Sequence, residues 1–149
     1  GFGKAGSFEG FCSGGGIAQL ARSVITGKWQ KNQPVDFCPS PDKIGEIDAK
    51  AVALAARAGD STALEIIRIS AGYLGRGLSV LIDILNPECI VIGSIYARNV
   101  ELFQSVVEEV LRREAIPAAR EVCQIKPAEL GDSIGDYAAL CVAVYENKF

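Results

Sequence analysis

Apolar residues recur every three or four positions over much of the chain, a pattern that is typical of helices with one buried face. Residues 9–26 carry such a stripe, but three glycines at positions 14–16 interrupt it. Because glycine weakens a helix interior, we predict a turn at these glycines and a helix from about Ile17. Residues 28–45 hold three prolines among scattered polar side chains, and we interpret them as a loop or insertion.

Two further helices are predicted from their capping residues. Residues 47–58 are alanine-rich and begin near Asp48, a good N-cap, while Gly59 suits the position after a helix end. Asp60 then precedes a long apolar helix over residues 61–85, whose charged side chains argue against a membrane span. We expect this helix to be buried and bent near its three glycines, which are Gly72, Gly75 and Gly77.

A short, wholly apolar run at residues 89–92 ends at Gly93 and Ser94, and it predicts a strand covered on both faces. The remaining predicted elements are an amphipathic helix at residues 99–113, a strand at 122–126 and a last helix at 133–146. Strands separated by a helix imply parallel β–α–β winding. Since two strands alone make a poor sheet, we expect an α/β fold of which this chain is one partial domain.

Composition narrows the possible functions. The 149 residues carry a net charge of −3, which argues against a nucleic-acid interface. Five cysteines without a CxxC pair, and no histidine, argue against a disulfide framework and against a zinc site. We expect free thiols in a reducing cytoplasm. The chain has no methionine and opens on Gly1, so we expect it to have been cut from a longer protein.

Three glycine-containing segments could approach a ligand. Residues 1–6 match GxGxxG, but no strand precedes them, so a dinucleotide site is not favoured. Residues 13–16 could present backbone N–H groups to a ligand or form a plain turn. Gly93 and Ser94 follow a strand, where ligands of open α/β sheets bind, although an ordinary strand-ending turn is the alternative. Glu9 is a lone carboxylate beside two aromatic residues, and it either binds hydroxyl groups or is simply exposed.

An ordered set of segments resembles the ROK family (repressor, open reading frame, kinase) of sugar kinases. Leu-Gly-Asp-Ser-Ile-Gly at residues 130–135 resembles the family's entry to the last helix, and residues 8–14 resemble the stretch after its zinc motif. The central signature is matched by Ala-Gly-Asp-Ser-Thr-Ala at residues 58–63, Tyr-Leu-Gly-Arg-Gly-Leu at 73–78 and Leu-Asn-Pro-Glu-Cys-Ile-Val-Ile-Gly at 85–93. The resemblance spans nearly the whole chain except residues 28–45.

This resemblance implies the helix-rich C-terminal lobe of an actin-like (ribonuclease H-like) kinase, with short parallel strands flanked by helices and ATP in the cleft. It implies that Glu9 contacts sugar hydroxyls and that Gly93 and Ser94 lie near adenosine. Gly131 and Gly135 would shape the nucleotide side of the cleft. ATP and Mg²⁺ are implied for the full-length protein. The family's phosphate-binding region and catalytic aspartate are not in this chain, so we expect no catalytic residue here and no activity from the chain alone.

Three departures from the family pattern bear on function. Phe2 and Ser7 stand where the family's zinc motif usually has cysteines, so we expect no zinc. Ser94 replaces the second of two paired glycines and adds a side chain beside the expected adenosine. Ala138 replaces a frequent glycine near the last helix.

The resemblance leaves three functions open. The first is an ATP-dependent kinase that phosphorylates a hexose or amino-hexose. The second is a sugar-sensing transcriptional repressor of the same family, which would carry a DNA-binding helix-turn-helix upstream. The third is a non-catalytic lobe used for dimerisation. For all three we expect a cytoplasmic homodimer through the long helix and the last helix, with no nucleic acid or membrane bound by this chain.

Overall fold

The computed structural model describes residues 4 and 6–146, apart from the side chains of Asp132 and Glu146. The described residues form eight α-helices, two short strands and two 3-10 helices. The helices are α1 (Phe8–Cys12), α2 (Gly14–Gln30), α3 (Ala49–Arg57), α4 (Ser61–Leu85), α5 (Ser94–Arg98), α6 (Val100–Glu114), α7 (Pro117–Val122) and α8 (Ile134–Glu146). The strands are β1 (Cys89–Ile92) and β2 (Gln124–Pro127), and the 3-10 helices are Pro41–Glu46 and Gly131–Ser133.

Helix α2 begins at Gly14, so the turn predicted at glycines 14–16 is wrong. Ser13 ends α1 and also caps α2, since its Oγ accepts a hydrogen bond from the Gly16 N–H at 3.0 Å. This cap satisfies a free N–H group of the first turn and offsets the low helix propensity of the glycines. Helix α2 also continues to Gln30, so residues 31–40 are the segment without helix or strand before the 3-10 helix of Pro41–Glu46.

The capping predictions for α3 and α4 are confirmed. Asp48 Oδ1 accepts from the Ala51 N–H at 2.7 Å, and Asp60 Oδ1 accepts from the Ala63 N–H at 2.8 Å. Gly59, between the two helices, has φ +87°, a left-handed conformation that favours glycine after a helix end. The turn from α3 into α4 is therefore encoded by its own residues.

Helix α4 is the centre of the fold and packs against α1, α2, α3 and α6. It runs as one helix of 25 residues through the positions at which a bend was expected. Gly75 lets α6 approach closely, since a Cβ added there would lie 2.7 Å from Val110 Cβ. The burial prediction fails at the C-terminal end of α4, where Ile84 is 72% and Leu85 is 66% exposed.

The two strands pair in parallel, as predicted, with Cys89 opposite Gln124. Ile90 and Ile92 pack against the core, whereas Val91 on the other face is 62% exposed. The expectation of a strand covered on both faces is therefore wrong for the described residues, because their helices cover one face. Helix α8 is also exposed along its length, with large apolar side chains at Leu140, Val142 and Val144. Among the described helices, none is long and apolar enough to cross a membrane.

Candidate functional site

A cleft of about 270 Å³ lies between α1, α4 and the loop that follows β1. It brings the predicted sugar-binding residue, Glu9, together with two predicted nucleotide-binding residues, Gly93 and Ser94. Gly131 and Gly135 are not among the residues that line it. The lining residues are Phe8, Glu9, Cys12, Ser13, Leu74, Ile92, Gly93, Ser94, Ile95, Tyr96 and Phe103.

Helix α1, which carries Glu9, is fixed on α4 by contacts along its length. The Ser70 hydroxyl donates to the Phe11 carbonyl oxygen at 2.7 Å, and Ser70 is fully buried. The Phe11 ring stacks on Tyr73 with 3.8 Å between centroids, and the Arg76 guanidinium lies 5.5 Å from the Tyr73 centroid. A short helix of five residues has little stability of its own, so these contacts determine where its carboxylate lies.

Two glycines allow α1 to approach its neighbours. A Cβ added at Gly16 would press on the Glu9 carbonyl oxygen and lie 2.6 Å from the Gly10 carbonyl carbon and oxygen. A Cβ added at Gly77 would meet the Phe8 ring, with its Cδ2 atom at 2.8 Å. Both contacts are closer than real Cβ atoms tolerate. The Phe8 ring can rotate away from position 77, whereas the backbone beside Gly16 cannot, so the position of α1 depends chiefly on glycine at position 16.

The cleft loop after β1, which is Gly93 together with the first two residues of α5, also lines the cleft. Gly93 is extended, and a Cβ there would have room, since its nearest neighbour is the Ala128 Cβ at 3.8 Å. Ser94 has φ +52°, the left-handed region in which a residue with a side chain is strained. A glycine would adopt this conformation without strain, which explains physically why paired glycines suit this position and why Ser94 is a departure.

The 3-10 helix of Gly131–Ser133 contacts α5, so Gly131 lies close to the helix that begins at the cleft loop. Gly131 has φ +53°, the conformation for which glycine is favoured. Gly135 lies in the first turn of the exposed helix α8, and a Cβ there would meet open space. The 3-10 helix that contains Gly131 therefore packs beside α5, but neither Gly131 nor Gly135 lines the cleft, and Gly135 does not pack closely.

Cys12 is the thiol in the cleft wall, and burial raises its pKa to about 11. Its Sγ lies 3.9 Å from the Ser70 carbonyl oxygen, a contact that also favours the protonated form. A neutral thiol is a poor nucleophile and a poor metal ligand. Among the described residues no cluster of histidine, cysteine or carboxylate side chains could hold a metal ion. Phe2 lies outside the described residues, and the Ser7 hydroxyl accepts from the Gly10 N–H at 3.1 Å as the cap of α1.

A buried asparagine behind the cleft loop was not predicted from the sequence. Asn99 is 4% exposed, and its Nδ2 donates to the Ile95 carbonyl oxygen at 2.8 Å. Its Oδ1 accepts from Arg57 Nη2 at 2.9 Å across a separation of 42 residues. The available sequence signal is its place at the N-cap position of α6, where asparagine is common, but its side chain does not make the cap hydrogen bond.

The sequence model of the ROK family matches residues 1–144. The chain belongs to the ROK family. It is 32% identical over 133 residues to a glucokinase of Halalkalibacterium halodurans, covering 89% of this chain and 39% of that protein. It is 25% identical over 138 residues to the DNA-binding transcriptional dual regulator NagC of Escherichia coli K12, covering 91% of this chain and 32% of that one. It therefore spans about a third to two fifths of these relatives.

Solved ROK structures share the fold. A ROK family glucokinase from Streptomyces griseus in complex with glucose and AMPPNP superposes with a TM-score of 0.69 at 25% identity, over 88% of this chain and 42% of that one. A ROK transcriptional regulator homologous to Escherichia coli Mlc superposes with a TM-score of 0.67 at 24% identity, over 85% of this chain and 30% of that one. The predicted family and fold class, a helix-rich α/β lobe of the actin-like sugar kinases, are thereby confirmed.

Proposed function

We propose that this chain is the C-terminal lobe of an ATP-dependent sugar kinase that phosphorylates a hexose or amino-hexose. The observation that carries the proposal is the shared cleft, whose lining includes Glu9, Gly93 and Ser94. Glucokinase relatives and the glucose and AMPPNP complex of a ROK glucokinase support both ligands. The sugar and the nucleotide would then meet between α1 and the loop after β1.

Glu9 has the chemistry to hold a sugar. Its carboxylate is exposed at the cleft and can accept hydrogen bonds from two hydroxyl groups, and such charge-assisted bonds are the stronger kind. The Phe8 ring, 51% exposed beside it, offers an apolar surface to the C–H face of a pyranose. Helix α1 therefore presents one polar and one apolar group, which is the combination that a hexose requires.

Gly93 and Ser94 have the position expected of a nucleotide contact. They follow the carboxyl end of a parallel strand, where ligands bind in open α/β sheets. Gly93 leaves the backbone open to a flat ring, and the 3-10 helix that contains Gly131 contacts α5, which begins at Ser94. Gly135 belongs to this proposal through α8, and it reaches the nucleotide only where α8 itself packs beside the cleft in the whole protein.

Phosphoryl transfer also needs a base and a metal ion that neutralises the phosphates. We propose that no residue of this chain supplies the base and that Mg²⁺ is held outside it, in the part of the longer protein that the relatives have in addition. The chain alone would then bind ligands weakly and produce no ADP. The free thiols and the use of ATP both fit a reducing cytoplasm, which we propose as the location.

The second candidate is a sugar-sensing repressor of the same family. The similarity to NagC over 91% of this chain favours it, as does the side chain that Ser94 adds at the nucleotide position. With a net charge of −3, this chain would not contact DNA itself, so the DNA-binding module would lie elsewhere. A third candidate, a non-catalytic dimerisation lobe, is favoured by the same change at Ser94.

The experiment that separates these functions is expression of the whole reading frame, followed by a sugar screen in a coupled ADP assay. A kinase forms ADP with one sugar, and Glu9→Gln raises its KM for that sugar by roughly tenfold, since a charged hydrogen bond becomes a neutral one. A repressor binds the sugar without forming ADP and releases DNA. A protein that binds neither glucose nor AMPPNP by calorimetry contradicts the kinase proposal.

We also propose that the protein is a homodimer through the exposed apolar residues of α4 and α8. Ile84 and Leu85 at the end of α4 supply one part of this surface, and Leu140 and Val144 of α8 supply another. Large apolar groups left in water favour association, since burial stabilises by about 25 cal/mol per Å². Sedimentation of the whole protein tests this, and a monomer at high concentration contradicts it.

A further inference from the structure

The cleft loop is tied from behind to helix α3 through one buried side chain. Asn99, between α5 and α6, donates from Nδ2 to the Ile95 carbonyl oxygen and accepts at Oδ1 from Arg57 of α3. Ile95 directly follows Ser94 and itself lines the cleft. A connected path of hydrogen bonds therefore runs from α3 to the loop that we assign to nucleotide binding.

The orientation of the Asn99 amide is determined by its partners. An arginine side chain only donates hydrogen bonds and a carbonyl oxygen only accepts them, so Oδ1 must face Arg57 and Nδ2 must face Ile95. The 4% exposure of Asn99 leaves little access for water to replace either partner. A buried amide with two defined partners holds the Ile95 carbonyl at one distance and direction.

Arg57 anchors the other end of this path. Its Nη2 donates to the Arg98 carbonyl oxygen at 3.0 Å as well as to Asn99, and its Nε donates to Glu101 Oε1 at 2.8 Å. A planar guanidinium can make these bonds together because its donors have a fixed arrangement, which an ammonium group lacks. Residues 98–101, which run from the end of α5 into the first turn of α6, are therefore held against the end of α3.

We propose that Arg57 and Asn99 are positioning residues of the nucleotide site, which hold the loop at residues 93–95 in the conformation that receives the nucleotide. The inference rests on the proposed function, since it assigns a supporting role for the same loop. Neither residue lines the cleft, so the effect is transmitted through the Ile95 carbonyl.

The test uses the whole protein with two test variants and two controls. Asn99→Asp keeps the shape and the acceptor for Arg57 but places a carboxylate oxygen against the Ile95 carbonyl. Arg57→Lys keeps the positive charge but loses the planar guanidinium, whose donors have a fixed arrangement. Glu101→Gln is the matched control, because it weakens the exposed ion pair at 2.7 Å and leaves the bond from Arg57 to Asn99 intact. Ile25→Val, a mild truncation of a fully buried residue of α2, controls for a general loss of stability.

Three measurements are made on each variant, which are the AMPPNP dissociation constant, amide hydrogen exchange at residues 94–96 and Tm. We expect Asn99→Asp to weaken AMPPNP binding roughly tenfold, and Arg57→Lys to bind with an affinity between those of Asn99→Asp and the wild type. In both variants the amides of residues 94–96 should exchange faster. Glu101→Gln should change the affinity by less than about twofold, as exposed ion pairs contribute little. If Asn99→Asp fails to fold, Arg57→Lys, whose side chain is 41% exposed, still carries the same measurements.

The inference is overturned if both variants bind AMPPNP like the wild type, or if exchange at the loop is unchanged. It is also overturned if their affinities fall only as far as that of Ile25→Val at equal loss of Tm, because that result shows a merely structural role. A wild-type protein that does not bind AMPPNP refutes the proposed function instead. In that case unchanged loop exchange in Asn99→Asp separately refutes the positioning of the loop.

Discussion

A single methyl group at Gly16 should force α1 away from α2. Alanine is the better helix residue by about 0.5–1 kcal/mol, so Gly16→Ala would raise the free energy of unfolding if nothing else changed. The added Cβ would, however, press on the Glu9 carbonyl oxygen and lie 2.6 Å from the Gly10 carbonyl. These are backbone atoms, which cannot rotate away as a side chain can. Relief therefore requires movement of a helix.

The size of the effect follows from the distance. Carbon atoms pack best at about 3.5 Å, so α1 must move by about 1 Å. Overpacking of this kind costs about 1–3 kcal/mol, which exceeds the gain in helix propensity. We expect a net loss of about 1–2 kcal/mol in the free energy of unfolding. Because Glu9 moves with the backbone, sugar affinity should fall as well.

Urea unfolding followed by circular dichroism measures the stability, and calorimetry with the sugar found by the screen measures the affinity. Gly15→Ala is the matched control, since its added methyl group, one position away in α2, meets open space. That variant should be as stable as the wild type or slightly more stable. If Gly16→Ala unfolds at the same urea concentration as Gly15→Ala, the contact between α1 and α2 is not as tight as the argument requires.

Three further predictions concern α4, the cleft loop and a thiol. Gly75→Ala should lower the free energy of unfolding by about 1–3 kcal/mol, because its methyl group meets Val110; urea unfolding equal to the wild type contradicts this. Ser94→Gly should raise the free energy of unfolding by up to about 1 kcal/mol, because removing the strain of a serine at φ +52° outweighs the greater unfolded-chain entropy of glycine. It should also strengthen AMPPNP binding, and a less stable variant contradicts the assigned strain. The raised pKa of Cys12 stabilises the fold below pH 9, and this contribution is lost as the pH rises towards about 11. In a Cys12→Ala protein the free energy of unfolding should therefore depend less on pH over that range. An unchanged dependence on pH contradicts the raised pKa of Cys12.

Local signals could be predicted from the sequence, and contacts between distant segments could not. Asp48 and Asp60 were correctly assigned as caps because a cap depends on residues two or three positions away. The glycines at 14–16 were misinterpreted because propensity treats them as flexible, whereas Gly16 is required by the backbone of α1 beside it. No pattern along the chain indicates which helix will approach so closely.

In the candidate site, too, local signals could be predicted and contacts between distant segments could not. Gly93 and Ser94 were proposed as site residues from their place after an apolar strand. The cleft that they share with Glu9 joins positions more than 80 residues apart, which no local pattern indicates. Asn99 was missed because its partner, Arg57, is 42 positions away and both residues belong to types that are usually exposed. Val91 shows that an apolar side chain in a strand does not by itself predict burial. It was expected to be covered, but no described element covers it.

The apolar surface of α8 has a consequence for the life of the protein in the cell. Its exposed leucine, valine and tyrosine side chains form the kind of surface that chaperones bind and that proteases reach when it stays uncovered. If the proposed dimer covers α8, that contact must form soon after this helix leaves the ribosome. The steady-state abundance of the protein should therefore depend on how fast that contact forms, and substitutions at Leu140 or Val144 should alter abundance before they alter ligand binding.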